Sequence, residues 1–250
     1  MDNLNIYIVG PCSVESSFIF GCVAEKMTSA IPDDKNWYLK GSFDKANRTS
    51  VEAPRGPGIY DSIDIFEDIK EKFTNIKITT DIHEPWQAEK LRHIVDMIQV
   101  PAFLCRQTDL IRECAHNFDV INVKKGQWMD PGSMRHVVEK IRYYNEDAKV
   151  YITERGTQFG YDRVIVDYRA VDIMKEFCDG VILDCTHSTQ QLGQGTTGGN
   201  RNLAKAYVKT AREFGYDGIF AETHPAPDTA ISDKDSQIDL EWMASVINTI

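Results

Sequence analysis

Short runs of β-branched and aromatic residues alternate along this chain with amphipathic stretches, the pattern of a parallel sheet whose strands are joined by crossover helices. Eight candidate strands are spaced along it, at 6–9, 37–40, 76–80, 97–100, 120–123, 150–153, 181–184 and 219–222. Between them lie helical segments. In 62–73, Ile63, Phe66, Ile69 and Phe73 recur at three- and four-residue spacing, and 134–144 follows the start signal of Pro131. Eight strand–helix units in 250 residues predict an α/β fold of (β/α)8 type, a TIM barrel, with residues 1–250 as one domain. A doubly wound open sheet is the alternative, but no Gly-x-Gly-x-x-Gly follows the first strand as a dinucleotide fold requires.

In such a barrel the chemistry sits at the C-terminal ends of the strands, so the residues after each run form one surface. They are polar. The first strand leads to Gly10-Pro11-Cys12, the third to Asp81-Ile82-His83-Glu84, and the fourth to Gln99 and then Phe103 and Arg106. The fifth leads to Lys124-Lys125-Gly126, the sixth to Glu154-Arg155-Gly156, the seventh to Asp184-Cys185-Thr186-His187, and the eighth to Glu222-Thr223-His224. The second opens into residues 40–50, where Lys40, Lys45 and Arg48 stand among small and hydroxyl side chains. That composition suits an anion better than a core. Asp81, Gln99, Phe103 and Arg106 join these as candidate substrate-binding residues.

Charge sharpens the reading. The chain carries a net charge of −10, so three cations within nine residues run against its background and point to an anionic small ligand. The same acidity, without a basic block, disfavours nucleic acid and anionic membrane as partners. No apolar run approaches 18 residues and the first five residues show no signal-peptide pattern, from which a cytoplasmic protein is expected. Six cysteines without a CxxC are read as reduced thiols, with Cys22, Cys114 and Cys178 assigned to packing.

Two clusters are expected at the mouth. Lys124 and Arg155, on neighbouring strand ends, face one anion with Lys45 reaching across, while Arg48 and Thr49 lie further out. The number of cations suffices for two phosphates. Closure of the barrel makes the seventh, eighth and first strands neighbours, which brings His187, Glu222 and Cys12 together, with Asp233 able to add a fourth ligand. Thiol, imidazole and carboxylate suit a borderline divalent metal such as Fe2+, Zn2+ or Mn2+. His187 also reads as a general base and Cys12 as a small buried hydrophobe.

The stretches Gly-Pro-Cys-Ser-Val-Glu-Ser (10–16), Ser-Phe-Asp-Lys-Ala-Asn-Arg-Thr-Ser (42–50), Thr-Asp-Ile-His-Glu (80–84), Pro-Ala-Phe-Leu-Cys-Arg-Gln-Thr-Asp-Leu (101–110), Asn-Val-Lys-Lys-Gly-Gln (122–127), Thr-Glu-Arg-Gly-Thr-Gln-Phe-Gly-Tyr (153–161) and Glu-Thr-His-Pro (222–225) closely resemble the 3-deoxy-D-manno-octulosonate 8-phosphate synthases. The resemblance runs nearly end to end. It implies a (β/α)8 homotetramer that condenses phosphoenolpyruvate with D-arabinose 5-phosphate for the inner core of lipopolysaccharide. Lys40, Lys45, Lys124 and Arg155 would bind phosphoenolpyruvate, Asn47, Arg48 and Thr49 the sugar phosphate, and Arg106 the sugar phosphate of a neighbouring subunit. Lys45, His187, Asp233 and Cys12 are the implied catalytic set. One branch of the family is metal-independent and has Asn where this chain has Cys12, so Cys12, His187, Glu222 and Asp233 resemble the metal-dependent branch. Thr49 replaces a common Ser, Lys40-Gly41-Ser42 is a variant entry, 191–200 is the least familiar segment, and the chain ends earlier than most members. Two other functions compete. The heptulosonate phosphate synthases use erythrose 4-phosphate and commonly carry Lys-Pro-Arg where this chain reads Lys45-Ala46-Asn47-Arg48. A catalytically silent phosphosugar-binding barrel would not be expected to keep both the cations and the metal ligands.

Overall fold

The computed structural model describes residues 4–48, 50–194 and 196–250. Eight parallel strands, β1 (Ile6–Gly10), β2 (Asn36–Lys40), β3 (Lys77–Asp81), β4 (Met97–Val100), β5 (Val120–Lys124), β6 (Lys149–Glu154), β7 (Gly180–Asp184) and β8 (Gly218–His224), pair in sequence order. Pairing of β1 with β8 closes the barrel. Helices follow the strands: α1 (Ser17–Ala30), α2 (Ile59–Lys72), α3 (Trp86–Leu91), α4 (Thr108–Asn117), α5 (Arg135–Tyr144), α6 (Ala170–Lys175), α7 (Arg201–Thr210) and α8 (Leu240–Val246). The expected (β/α)8 architecture is therefore present, and the expected strands fall on these eight.

Each strand alternates its side chains between two environments, as the period of two requires. On β1, Tyr7 and Val9 pack outward beneath the helices, in the large cluster that also holds Phe20, Phe66, Ile111 and Met243. Ile6 and Ile8 point inward, to a second cluster with Tyr38, Met97, Tyr151, Ile182 and Phe220. This inner cluster fills the lower barrel. Two residues further along five of the strands the same inward positions turn polar: Tyr38 gives way to Lys40, Met97 to Gln99, Tyr151 to Thr153, Ile182 to Asp184, and Phe220 to Glu222. The floor is apolar and the mouth polar because the inward series changes chemistry partway up.

Local signals set the ends. The Ser16 hydroxyl caps α1 by accepting the Ile19 amide at 3.2 Å. The helix expected from 62 begins at Ile59, directly after Gly58 at φ 88°, a left-handed conformation that glycine adopts without a Cβ clash. Before α5, Pro131–Met134 forms a 3-10 turn, so the α-helix starts at Arg135. Within the unfamiliar segment, Gln191–Gln194 and Thr196–Gly198 pair as an antiparallel ribbon beside the mouth. Among the described residues no helix is long and apolar enough to cross a membrane.

Candidate active site

A continuous chain of buried polar groups crosses the mouth from β6 to β2. Thr153 Oγ1 donates to Asn122 Oδ1 at 2.7 Å, and Asn122 Nδ2 donates to Gln99 Oε1 at 3.0 Å. Gln99 Nε2 donates to Asp81 Oδ1, and the Ser42 hydroxyl to Asp81 Oδ2. Lys40 ends the chain, its Nζ 2.8 Å from Ser42 Oγ and 3.6 Å from Asp81 Oδ2. Each member occupies the hydrogen-bonding capacity of the next, which fixes Lys40 and Asp81 before any ligand arrives. Burial alone would raise the Asp81 pKa, but Lys40 and Lys45 hold its carboxyl well below the usual carboxylate range.

Above this chain four cations surround one cavity. Lys40, Lys45, Lys124 and Arg155 all line it, with Gln99, Asp81 and Glu222. Burial lowers Lys124 to about 8 against the opposing pull of Asp184, whose Oδ2 is 2.7 Å from its Nζ. The Phe220 ring lies 3.2 Å from that Nζ, a cation–π contact beneath it. Burial would lower Lys45 too, but Cys12, Glu222 and Asp81 outweigh it and raise its pKa. Arg155 gives Nη2 to Gln190 Oε1 at 2.6 Å, while its buried Nη1 has no hydrogen-bond partner. A buried, unsatisfied guanidinium N–H costs free energy unless an anion meets it, so this site is shaped for an acceptor.

A second cavity of about 580 Å3 continues outward, lined by Asn47, Arg48, Phe103, Arg155, His187 and Asp233 among others. Arg48 here gives Nε to Pro54 O at 3.0 Å and Nη2 to Ile231 O at 3.1 Å. Lys45, Asn47, Phe103, Arg155 and His187 border both spaces. The inner and the outer room thus share a wall. Arg106 borders neither and is exposed. Thr49 lies outside the described residues.

The four expected metal ligands converge unequally. Donor atoms of Cys12, Glu222 and Asp233 all lie within 4.8 Å of one another, a group that His187 does not join. His187 Nε2 nevertheless stands 3.6 Å from Glu222 Oε1. Both Glu222 carboxylate oxygens are buried without a hydrogen-bond partner, with Lys45 Nζ at 4.0 Å the nearest ammonium contact. A fully buried carboxylate satisfied by no donor calls for a cation, and a thiol with two carboxylates and a nearby imidazole suits a borderline divalent ion. The residues fit such an ion. The Cys12 thiol is pushed up by burial and by Glu222, which keeps it protonated where only the protein's own charges surround it. Burial raises Asp233, but His187, Lys45 and a hydrogen bond from Cys12 lower it to about 2.

Several groups that the sequence reading left without a role belong to this site. Ser42 bridges Lys40, Lys45 and Asp81. Ser232 Oγ lies 2.6 Å from Cys12 Sγ, and Gln237 Oε1 accepts the Cys12 amide at 3.4 Å. Asn122 and Thr153 extend the polar chain. Their signal was present: each of Asn122, Thr153 and Asp184 sits two residues after an inward position of the lower barrel on its own strand.

Comparisons with known proteins give the chain its relatives. Residues 1–249 match the model of the DAHP synthetase I family. The 2-dehydro-3-deoxyphosphooctonate aldolase of Wolinella succinogenes is 42% identical over 246 aligned positions, covering 93% of each chain. That of Helicobacter hepaticus is 40% identical over 98% of this chain and 95% of its own. That of Helicobacter pylori is 41% identical over 92% of this chain and 88% of its own. With coverage this complete and identity near 40%, the chain belongs to the DAHP synthetase I family, alongside its 2-dehydro-3-deoxyphosphooctonate aldolases.

Proposed function

We infer that the chain is a 3-deoxy-D-manno-octulosonate 8-phosphate synthase, condensing phosphoenolpyruvate with D-arabinose 5-phosphate and water to give the octulosonate phosphate and inorganic phosphate. The near-full-length relation to 2-dehydro-3-deoxyphosphooctonate aldolases carries this reading. The family model by itself is also compatible with the heptulosonate reaction.

The two rooms support a division of roles. Phosphoenolpyruvate is a weak carbon nucleophile, so its phosphate and carboxylate must be neutralised and its C3 held against the sugar aldehyde. Lys124 and Arg155 take one of these anions and Lys40 and Lys45 the other, with the unpartnered Arg155 Nη1 available to the incoming oxygens. Asn47 and Arg48 receive the sugar phosphate from the outer room. As the alkene electron pair forms the new C–C bond, C1 of the sugar becomes an alkoxide and C2 of the enolpyruvate becomes cationic. Water adds at C2 and loses a proton, and the C2–O bond to phosphate breaks as the ketone forms. Lys45, whose neighbours Asp81 and Glu222 keep it an ammonium, donates to the developing alkoxide.

Metal dependence is part of the proposal. Cys12, Glu222 and Asp233 would hold the ion, with His187 turning its Nε2 toward it, as the partnerless Glu222 oxygens support. When bound, a divalent cation supplies Lewis acidity for the charge that develops on oxygen. The mixed donor set favours Fe2+, Zn2+ or Mn2+ over Mg2+. We also propose a homotetramer acting in the cytoplasm on small phosphorylated substrates.

The test is a comparison of aldoses with phosphate release as the readout. Arabinose 5-phosphate is expected to exceed erythrose 4-phosphate by at least about a hundredfold in kcat/KM, because a pocket built around a substrate hydroxyl leaves polar groups unpaired without it. Equal or reversed turnover would move the chain to the heptulosonate reaction.

A further inference from the structure

Asp184 is the most heavily used carboxylate of the site: it lines the inner cavity, yet both of its oxygens are taken by the protein's own donors. It ends β7 with its side chain fully buried. Oδ1 accepts the amide N–H of Thr186 at 3.0 Å and of His187 at 2.8 Å, which fixes the start of the 3-10 turn His187–Thr189. Oδ2 lies 2.7 Å from Lys124 Nζ and 2.9 Å from His187 Nδ1. One carboxylate therefore holds a substrate-facing ammonium with one oxygen and, through the same oxygen, the ring of the histidine that faces Glu222.

We propose that Asp184 is a positioning residue that couples the phosphoenolpyruvate cation Lys124 to His187, keeping the imidazole in the Nδ1–H tautomer so that the Nε2 lone pair faces Glu222. A carboxylate only accepts hydrogen bonds, so the ring nitrogen facing it carries the proton. Nε2 is then left with its lone pair on the side where Glu222, Cys12 and Asp233 converge. The same negative charge keeps Lys124 an ammonium despite its burial. This is the arrangement by which an outer carboxylate sets a histidine ligand, extended here to a substrate-binding lysine.

Asn in place of Asp184 separates this role from simple packing. It has nearly the same shape, and its Oδ1 still accepts the two turn amides. Its Nδ2 then meets Lys124 and His187 Nδ1 donor to donor. Both partners are expected to respond: Lys124 swings away or loses its proton, and the imidazole moves its proton to Nε2.

The experiment uses two readouts on the full chain. Binding of phosphoenolpyruvate is followed by calorimetric titration, and the His187 tautomer by long-range 1H–15N spectra of 15N-histidine-labelled protein, assigned with a His187→Asn variant. Wild type is expected to show Nδ1–H at His187. Asp184→Asn is expected to weaken phosphoenolpyruvate at least about tenfold, as loss of a charge-assisted contact does, and to shift His187 away from Nδ1–H. A wild-type spectrum with Nε2–H overturns the proposal whether or not the variant folds. So does a variant in which affinity falls while the tautomer stays, or in which neither changes. The Lys124 half rests on the synthase reading. Should wild type fail to bind phosphoenolpyruvate, that reading fails, and the tautomer measurements still decide whether Asp184 positions His187.

Discussion

Lys124 shows how burial and a neighbouring carboxylate set the working range of one residue. Its ammonium is lowered to about 8 by burial against Asp184, so it is charged at neutral pH and loses its proton as pH rises past that value. In the proposed role, phosphoenolpyruvate needs the charged form. The expected outcome is that kcat/KM for phosphoenolpyruvate falls above about pH 8, and that kcat, which reports the occupied site, falls at higher pH because the bound anion stabilises the ammonium. Stability moves the other way. Between about 8 and the ordinary lysine value the unfolded chain binds a proton that the native chain does not, so this group makes the fold more stable as pH rises through that window. Matched profiles of wild type and Lys124→Arg check the assignment, since the guanidinium does not titrate there and should remove the alkaline fall. Cys12 gives a second expectation at this scale. Cys12→Ala removes the soft donor from the group of three and is expected to weaken metal retention, measured by elemental analysis, and to cost on the order of 10² or more in kcat. Cys12→Asn is expected to keep partial activity that no longer responds to a chelator. Wild type fully active when demonstrably metal-free would reduce Cys12 to a packing residue.

Strands were legible in the sequence because their apolar runs are distinct, and their ends were not, because the ladder continues by backbone pairing whatever the side chain. Gly10, Asp81, Lys124, Glu154 and His224 all belong to strands, although their chemistry reads as loop. The nearness of Cys12, Glu222 and His187 was expected from strand order, which makes β7, β8 and β1 neighbours, although His187 stays outside the group that Cys12, Glu222 and Asp233 form. What composition did not disclose is the second tier of contacts, such as Ser232 at Cys12 or Ser42 at Asp81, because a serine carries no spacing signal of its own. Gly10 tests the register on which both tiers depend. A Cβ there would sit 1.9 Å from the Lys40 carbonyl oxygen, so β1 would have to move from β2 at the level of the cations. Gly10→Ala is expected to destabilise by about 1–3 kcal/mol or more in urea unfolding, the range of a forced overpacking, and to weaken phosphoenolpyruvate with it. Gly58 is the control, since a Cβ there meets nothing within 4 Å and only its φ of 88° resists. Gly58→Ala should cost less than Gly10→Ala and leave substrate affinity intact.

At the scale of the whole molecule, the mouth of the barrel is edged by apolar rings that the chain itself leaves exposed. Phe103 stacks on Trp128 with centroids 5.9 Å apart, yet both remain about half exposed, and Phe159 and Tyr161 beside them are more exposed still. Contiguous aromatic surface of this kind marks association, and a second copy of the chain is the partner that the proposed homotetramer would supply. Arg106 sharpens the point. It follows Phe103 by three residues, is exposed, and lines neither room of its own subunit, while the backbone carbonyl of Arg106 is held by Lys140 Nζ at 3.2 Å. In the proposed tetramer, an exposed arginine that lines no cavity of its own chain would be free to serve a neighbour's sugar phosphate. If it does, Arg106→Ala and Lys45→Ala chains damage different halves of one composite site. Each homo-oligomer is expected to be impaired, the first chiefly in KM for the aldose phosphate and the second chiefly in kcat. In mixed oligomers some sites pair an intact Lys45 with a neighbour's intact Arg106, so unfolding and refolding the two variants together should restore part of the activity, with subunit mixing verified by native mass spectrometry. Mixed oligomers no more active than the average of their parents would assign each site to a single chain.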